Sequence, residues 1–475
     1  MTTFDKITIA IKLTSSLANA ILYLIDSNAV LTVIVASPTS TARFTLIETK
    51  KPASPRAERH YQLRIRRNLQ RNFAAHLAHG LLGQTGFRLL TAPTFLPAYI
   101  LLLSNGSTVA VGIALAMQSL GMAITPLLGA NLIEHRTRVL PLGFLIGAGM
   151  RAMVLCIALA GLLLSPSSAL LAIYFFLALL GLFQGMQGVI FNVLMSKVIP
   201  IDKRGWLTGL RNFLAGVTAA GVAYLGGHYL LGDTPDPTGY SMTFLLAFVL
   251  TSIGLGMLLF VREPEPPTVA ADVSLKERLS HIPTLLREDP AFSRYFLARS
   301  LATMGRMAMP FYILYAGQTL GLTGAVLGTL TVAFTLSGTV SNLVWGFIAD
   351  RRGFRLAFLA SIALWIASTL LLLLGEGLLL NIFVFMGIGA ATQGFQSTAI
   401  NLTLEFGHRD DVPLRIAIAN SSSEVAGTLG PLLGGLLAAY LGYEAVFISS
   451  MAFLVLGGAM VNAYVPEPRW ATTPH

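Results

Sequence analysis

The chain has 475 residues, 54% hydrophobic and only 11% charged, with a net charge of +10 and a mean hydropathy of +0.70. This composition excludes an ordinary soluble multidomain protein and points to a chain embedded in a membrane. Nucleic acid is excluded as a partner as well, because Lys and Arg are scattered singly between apolar runs and form no basic face with interleaved aromatics.

Residues 1 to 73 read as a cytoplasmic N-terminal extension of uncertain structure. Its apolar stretch, 7 to 35, is interrupted by Lys12, Asp26 and Asn28, which argues against both a further span and a cleavable signal. The basic run from Arg56 to Arg71 suits an anchor attracted to acidic headgroups.

From residue 74 the sequence divides into twelve apolar runs, each long enough to cross a hydrocarbon core about 30 Å thick. The first six cover 74–103, 109–133, 139–164, 168–196, 206–231 and 240–262. The second six cover 291–318, 323–349, 354–375, 378–405, 413–441 and 443–465. An N-terminal six-helix bundle (74–262), a cytoplasmic central loop (263–290), a C-terminal bundle (291–466) and a tail (467–475) follow from these boundaries. Within the central loop, Ser274-Leu275-Lys276-Glu277 has the spacing of a helix capping box, consistent with a short surface helix or a plain tether.

Loops after even-numbered spans carry Arg136, Arg138, Lys203, Arg204, Lys276, Arg278, Arg287, Arg351, Arg352 and Arg409, whereas loops after odd-numbered spans carry only acids. Cytoplasmic loops are the Lys/Arg-rich ones, so both termini are expected in the cytoplasm and the protein in the cell's inner (plasma) membrane. The two sets of six are copies. Gln184-Gly185-Met186-Gln187 with Asn192 matches Gln393-Gly394-Phe395-Gln396 with Asn401 at one offset of about 210 residues. Both halves also close alike, on Val261-Arg262-Glu263-Pro264 and Val465-Pro466-Glu467-Pro468.

The run Gly346-Phe347-Ile348-Ala349-Asp350-Arg351-Arg352-Gly353-Phe354-Arg355, placed after an even-numbered span, resembles the loop signature of the major facilitator superfamily. The first copy departs from it, with Ala130, Glu134 and Thr137 at the Gly, Asp and Gly positions. Gly427-Thr428-Leu429-Gly430-Pro431 is similar to the antiporter motif of that family, but stands in span eleven instead of span five. Gly181 and Ala390 occupy the positions where proton-linked drug exporters place an arginine in span four. The resemblance implies an all-α membrane fold of twelve transmembrane helices in two pseudo-symmetric six-helix bundles. It also implies a central cavity lined by spans one, four, seven and ten.

On that footing Arg88, Gln184, Gln187, Arg299, Arg306, Gln393 and Gln396 are the candidate substrate-binding residues, and Glu424 the candidate proton-coupling carboxylate. A guanidinium fork suits a carboxylate or phosphate, so the solute is expected to be small and polar or anionic. Each arginine could equally tie helices together, and Glu424 could pair with one of them. The amides could also serve as helix ties, with Gly181, Gly185 and Gly188 aligned for close packing. By resemblance, Glu134 and Arg136, with Asp350, Arg351 and Arg352, would act in gating.

His76 and His79 near the start of span one suit interfacial packing or a proton entry point, and lack a third ligand for a metal. The lone Cys156 allows neither a disulfide framework nor a metal spacing, and no catalytic or nucleotide-binding motif is present. The expected function is therefore secondary active transport by alternating access, proton-coupled or not. It would run without cofactor or metal, in a monomer whose partners are a small-molecule substrate and membrane lipids. Export of hydrophobic or lipid-like compounds, and a non-transporting sensor or scaffold, are the alternatives.

Overall fold

A computed structural model of the chain describes residues 55–123, 125–134, 136–266, 282–406, 412–465 and 467. The extension before residue 55, the capping-box segment at Ser274 and the tail beyond 467 lie outside the described residues. Every regular element among those described is helical.

Among the described residues nine helices are long and apolar enough to cross a membrane unbroken. These are spans 3 to 6 (Leu140–Leu163, Pro166–Val198, Ile201–Leu231, Pro237–Phe260) and spans 8 to 12 (Gly324–Arg352, Phe354–Leu374, Leu378–Leu404, Ile418–Leu441, Tyr443–Tyr464). The other three expected spans are interrupted, each beside a proline. Span 1 consists of Leu69–Thr91 and Phe95–Leu103, bent by 41°. Pro93 has no N–H to donate and forces Ala92 out of the helical region, to φ −59° and ψ 142°. Span 2 is Thr108–Met122 followed by Thr125–Glu134, which contains Pro126. Span 7 is Pro290–Thr303, a 3₁₀ turn over Met304–Ala308, and Met309–Leu320 with Pro310 in its first turn. An apolar count reads straight through such breaks, because they cost backbone hydrogen bonds but no hydropathy.

In the N-terminal half span 1 packs on spans 5 and 6, and span 4 on spans 2 and 3; in the C-terminal half span 10 packs on spans 8 and 9, and span 7 on span 12. The halves meet through span 2 against span 11 and span 5 against span 8, pairs that the internal repeat exchanges. At the ends bearing the odd-numbered loops one continuous apolar core joins both halves, from Leu103, Val111 and Tyr240 to Tyr312, Leu327 and Phe447. At the opposite ends the cores are separate, Phe292, Phe358 and Phe406 belonging to one half and Leu194, Val198 and Leu258 to the other. The molecule is thus closed at one face and split at the other.

Backbone contacts make the closed face tight. Gly324 N–H donates to the Gly232 carbonyl at 2.7 Å, and Thr108 Oγ1 to the Gly435 carbonyl at 3.1 Å. A Cβ at Gly227 would collide with the Gly324 carbonyl oxygen, and one at Gly112 with that of Pro431.

At the split face the two matching chain ends do the same work. Glu263 follows span 6 and accepts from the Val139 and Leu140 amides at 2.8 Å, capping span 3, while Lys197 reaches it at 3.4 Å. Glu467 follows span 12 and accepts from the Arg355 amide at 3.0 Å, capping span 9. A carboxylate at a helix N-terminus answers the free amides and the dipole there. Gly353, the second glycine of the loop signature, has φ +87°, and a Cβ on it would strike the Glu467 carboxylate. Since the Glu263 side chain is only 3% exposed, Glu263→Ala is expected to cost about 3 kcal/mol of stability. A lowered melting temperature in detergent, with Glu265→Ala as the exposed control, checks this; equal melting of the two variants contradicts it.

The basic run forms the helix Pro55–Arg67, with Arg56, Arg59, Arg64, Arg66 and Arg67 exposed and Ile65 buried. Tyr61 donates to the Lys197 carbonyl at 3.4 Å. Partial burial, then the nearby Glu58 and Glu263, push its phenol pKa up, so it stays protonated and able to donate.

Candidate functional site

Between the halves lies a cavity of about 370 Å³. Its walls come from spans 1, 2, 4, 7, 8, 9, 10 and 11, and both proline breaks of spans 1 and 7 open onto it through Pro93 and Pro310. The breaks matter chemically, because they free backbone and make room where a continuous helix would fill the space.

Three ionisable side chains face this cavity: Arg88, Arg306 and Glu424. Arg88 Nη1 donates across the halves to Thr339 Oγ1 at 3.2 Å. Gly216 makes this possible, since a Cβ there would crowd both groups. Arg306 sits in the 3₁₀ turn of span 7 and makes no hydrogen bond or ion pair with the described residues. Glu424, from span 11, likewise has a carboxylate free of ion pairs; only its backbone carbonyl is engaged, by Thr428. Gly427, one turn on, leaves space between Glu424 and Ser119 of span 2.

The amides take distinct places. Gln184, Gln393 and Gln396 line the cavity. Gln184 accepts from Gln118 Nε2 at 3.1 Å, and Gln393 donates to Ser397 at 3.2 Å. Gln187 faces a separate cavity within the N-terminal half. Arg299 is 5% exposed and stands off the wall, donating to Thr403 Oγ1 at 3.0 Å and Asn420 Oδ1 at 3.4 Å, so it ties span 7 to spans 10 and 11. Gly181 packs on the Gln118 backbone and Gly185 on Thr125, whereas Gly188 meets open space and lines the smaller cavity.

The loop residues lie apart from the cavity, at the split face. Asp350 and Arg352 are exposed, and Arg351 lies 4.2 Å over the Phe347 ring. Arg136 donates to the Leu132 carbonyl at 2.9 Å, and Glu134 ends its helix. His76 and His79 are inside the N-terminal half instead of at its rim, His76 fully buried and both packed on Phe191. Among the described residues no group of three His, Cys, Asp or Glu could hold a metal.

Gln118, Thr339 and Trp365 also line the cavity and escaped the sequence reading. Gln118 could have been found as a strongly polar residue in the middle of an apolar run. Thr339 could not, because Thr satisfies its own hydroxyl on the preceding turn, here Thr335, and is common in spans.

The Major Facilitator Superfamily matches residues 80–314 and 295–473. The chain is 30% identical over 172 residues to multidrug resistance protein MdtG of Serratia proteamaculans (strain 568), covering 34% of this chain and only 40% of that protein. It is 24% identical over 377 residues to the multi-drug resistance efflux pump PmrA homolog of Lactococcus lactis subsp. lactis (strain IL1403), 76% of this chain and 87% of that one. In fold it is similar to the crystal structure of a D-xylose-proton symporter, with a TM-score of 0.65 at 14% identity over 84% of this chain and 99% of that. The nucleoside transporter NupG gives 0.62 at 13% identity over 82% and 98%.

Proposed function

Since this chain belongs to the Major Facilitator Superfamily, a family of multi-pass membrane transporters and not of enzymes, we propose that it moves a small polar or anionic organic solute by alternating access. The observation that carries this reading is that Arg306 and Glu424, near enough to attract one another, form no ion pair with the described residues on the wall of a cavity between the two halves. A charge at the middle of a membrane costs about 2.5–3.5 kcal/mol even on insertion scales, so groups left unpaired there await a partner. Two arginines and one carboxylate leave a net positive wall, which an anion or a zwitterion completes.

Glu424 is the coupling group in this scheme: it alternates between proton and solute, or between proton and Arg306, as the cavity changes sides. The positive-inside distribution supports a cytoplasmic position for the Arg-rich split face, and on that reading this is an inward-open conformer of an inner-membrane protein. Asp350, Arg351, Arg352, Glu134 and Arg136 are the gate residues on this reading and engage when this face closes, and the working unit is a monomer.

Export of hydrophobic compounds is the second reading, favoured by the multidrug names of the relatives. The third, a silent scaffold, expects large side chains to plug the cavity and is disfavoured by the open volume. Glu424→Gln separates the mechanisms. In proteoliposomes its pH-gradient-driven accumulation is expected to fall to the level without a gradient, while solute exchange at equal pH persists. Gradient-driven accumulation by Glu424→Gln rules the coupling role out.

A further inference from the structure

The N-terminal half carries a second cavity of about 200 Å³, more open than the central one, and solute transport leaves it without a role. His79, Gln84, Arg151, Gln187 and Arg211 are on its walls, with no Asp or Glu among them. Gln184 borders both this cavity and the central one.

The two arginines lack a counter-charge. Arg211, on span 5, makes no hydrogen bond to the described residues; its Nε is buried without a partner, and its guanidinium lies 4.8 Å over the Phe191 ring. Arg151, on span 3, is 4% exposed; it donates to two carbonyls, Thr251 through Nε and Gly147 through Nη1, both at 2.8 Å, and lies 5.4 Å over the Phe87 ring. Every acid described in this half, from Glu58 to Glu265, lies at a helix end, in a loop or on the helix that precedes the spans.

Neighbouring groups repeat the vacancy. Gln187 Oε1 and both ring nitrogens of His76 are buried without partners. Glycines hold the space open: Gly188 meets nothing, and a Cβ on Gly80 would coincide with Cγ and Cδ of Arg211. A buried guanidinium such as that of Arg151, beside the partly buried Arg211, is costly without a carboxylate, and unused fork donors fit an oxyanion best. We infer that this cavity is an anion-binding site that holds a compact phosphate or carboxylate group on Arg211 and Arg151, separate from the solute site.

Full-length protein in detergent, titrated with inorganic phosphate against chloride at constant ionic strength, tests the site by its melting temperature. Wild type and Arg306→Gln are both expected to show saturable stabilisation. Arg211→Gln and Gly80→Ala are expected to weaken it about tenfold or more, the loss of one charge-assisted hydrogen bond. Gly80→Ala displaces the arginine without removing its charge, so it carries the test if Arg211→Gln fails to fold. Native mass spectrometry tells free anions from lipid: an anionic lipid retained by wild type, displaced by phosphate and lost from Gly80→Ala supports the site with a headgroup as its ligand. Absence of both a phosphate response and a retained anion in wild type overturns the inference, as does equal affinity in all four proteins. A response lost only in Arg306→Gln also overturns it, moving the anion to the central cavity.

Discussion

Arg306→Gln is expected to slow transport of an anionic or zwitterionic solute by about 10- to 100-fold, with membrane insertion and melting temperature unchanged. The magnitude is that of one charge-assisted hydrogen bond, about 1.5–3 kcal/mol. Folding is spared because Arg306 contributes no ion pair or hydrogen bond to the described structure. Arg88→Gln is expected to lose less, since part of its donor capacity is already spent on Thr339. Arg306→Lys keeps the charge without the planar fork, and an intermediate rate is expected from it. Counterflow of labelled solutes in proteoliposomes measures all three. Wild-type rates for every anionic solute in Arg306→Gln would remove this arginine from the binding site and favour export of neutral, apolar compounds.

Gly227→Val and Gly112→Val are expected to force the closed face open. Each glycine sits where two backbones touch across the halves, so the new Cβ meets a carbonyl oxygen, which has no rotamer to escape into. Overpacking of this kind costs about 1–3 kcal/mol, enough to shift a two-state population by up to about 100-fold. Alternative partners exist for the face that would close, because Asp350 and Arg352 are exposed and make no side-chain hydrogen bond to the described residues in the present conformer. Spin labels at Asp233 and Thr319, with Cys156 replaced by Ser, read the opening as a longer distance, and transport should slow in parallel. An unchanged distance distribution in both variants sinks the idea that these contacts hold the conformer.

Much of the architecture was legible because hydropathy acts locally. A run of apolar residues must be a helix in lipid, whatever it packs on, and a repeated Gln-Gly-x-Gln tells of two halves without knowledge of either. The three broken spans were not legible, although Pro93, Pro126 and Pro310 were in plain view. A proline in a span is tolerated where its surroundings accommodate the break, and that depends on neighbours distant in sequence such as Thr331, whose hydroxyl meets that of Thr94 beside the break in span 1.

The candidate site divides the same way. Intramembrane charge brought out Arg88, Arg151, Arg211, Arg299, Arg306 and Glu424, because the energetic penalty is a property of the residue and its depth, and the resemblance narrowed the arginines to Arg88, Arg299 and Arg306. Their fates were not readable. Arg299 and Arg306 are two turns apart by sequence, yet the 3₁₀ turn at Met304–Ala308 separates their surroundings, leaving one among Thr403 and Asn420 and the other on the cavity wall.

By itself the sequence determined the membrane class, the duplicated helical halves and the short inventory of costly charges, since composition and periodicity carry those directly. Only the tertiary structure decided which charges share a cavity, that Arg151 and Arg211 stand together without an acid, and which face of the molecule is closed. Those are matters of distance between residues far apart in the chain, set by packing contacts such as Gly112 on Pro431 that no local pattern encodes.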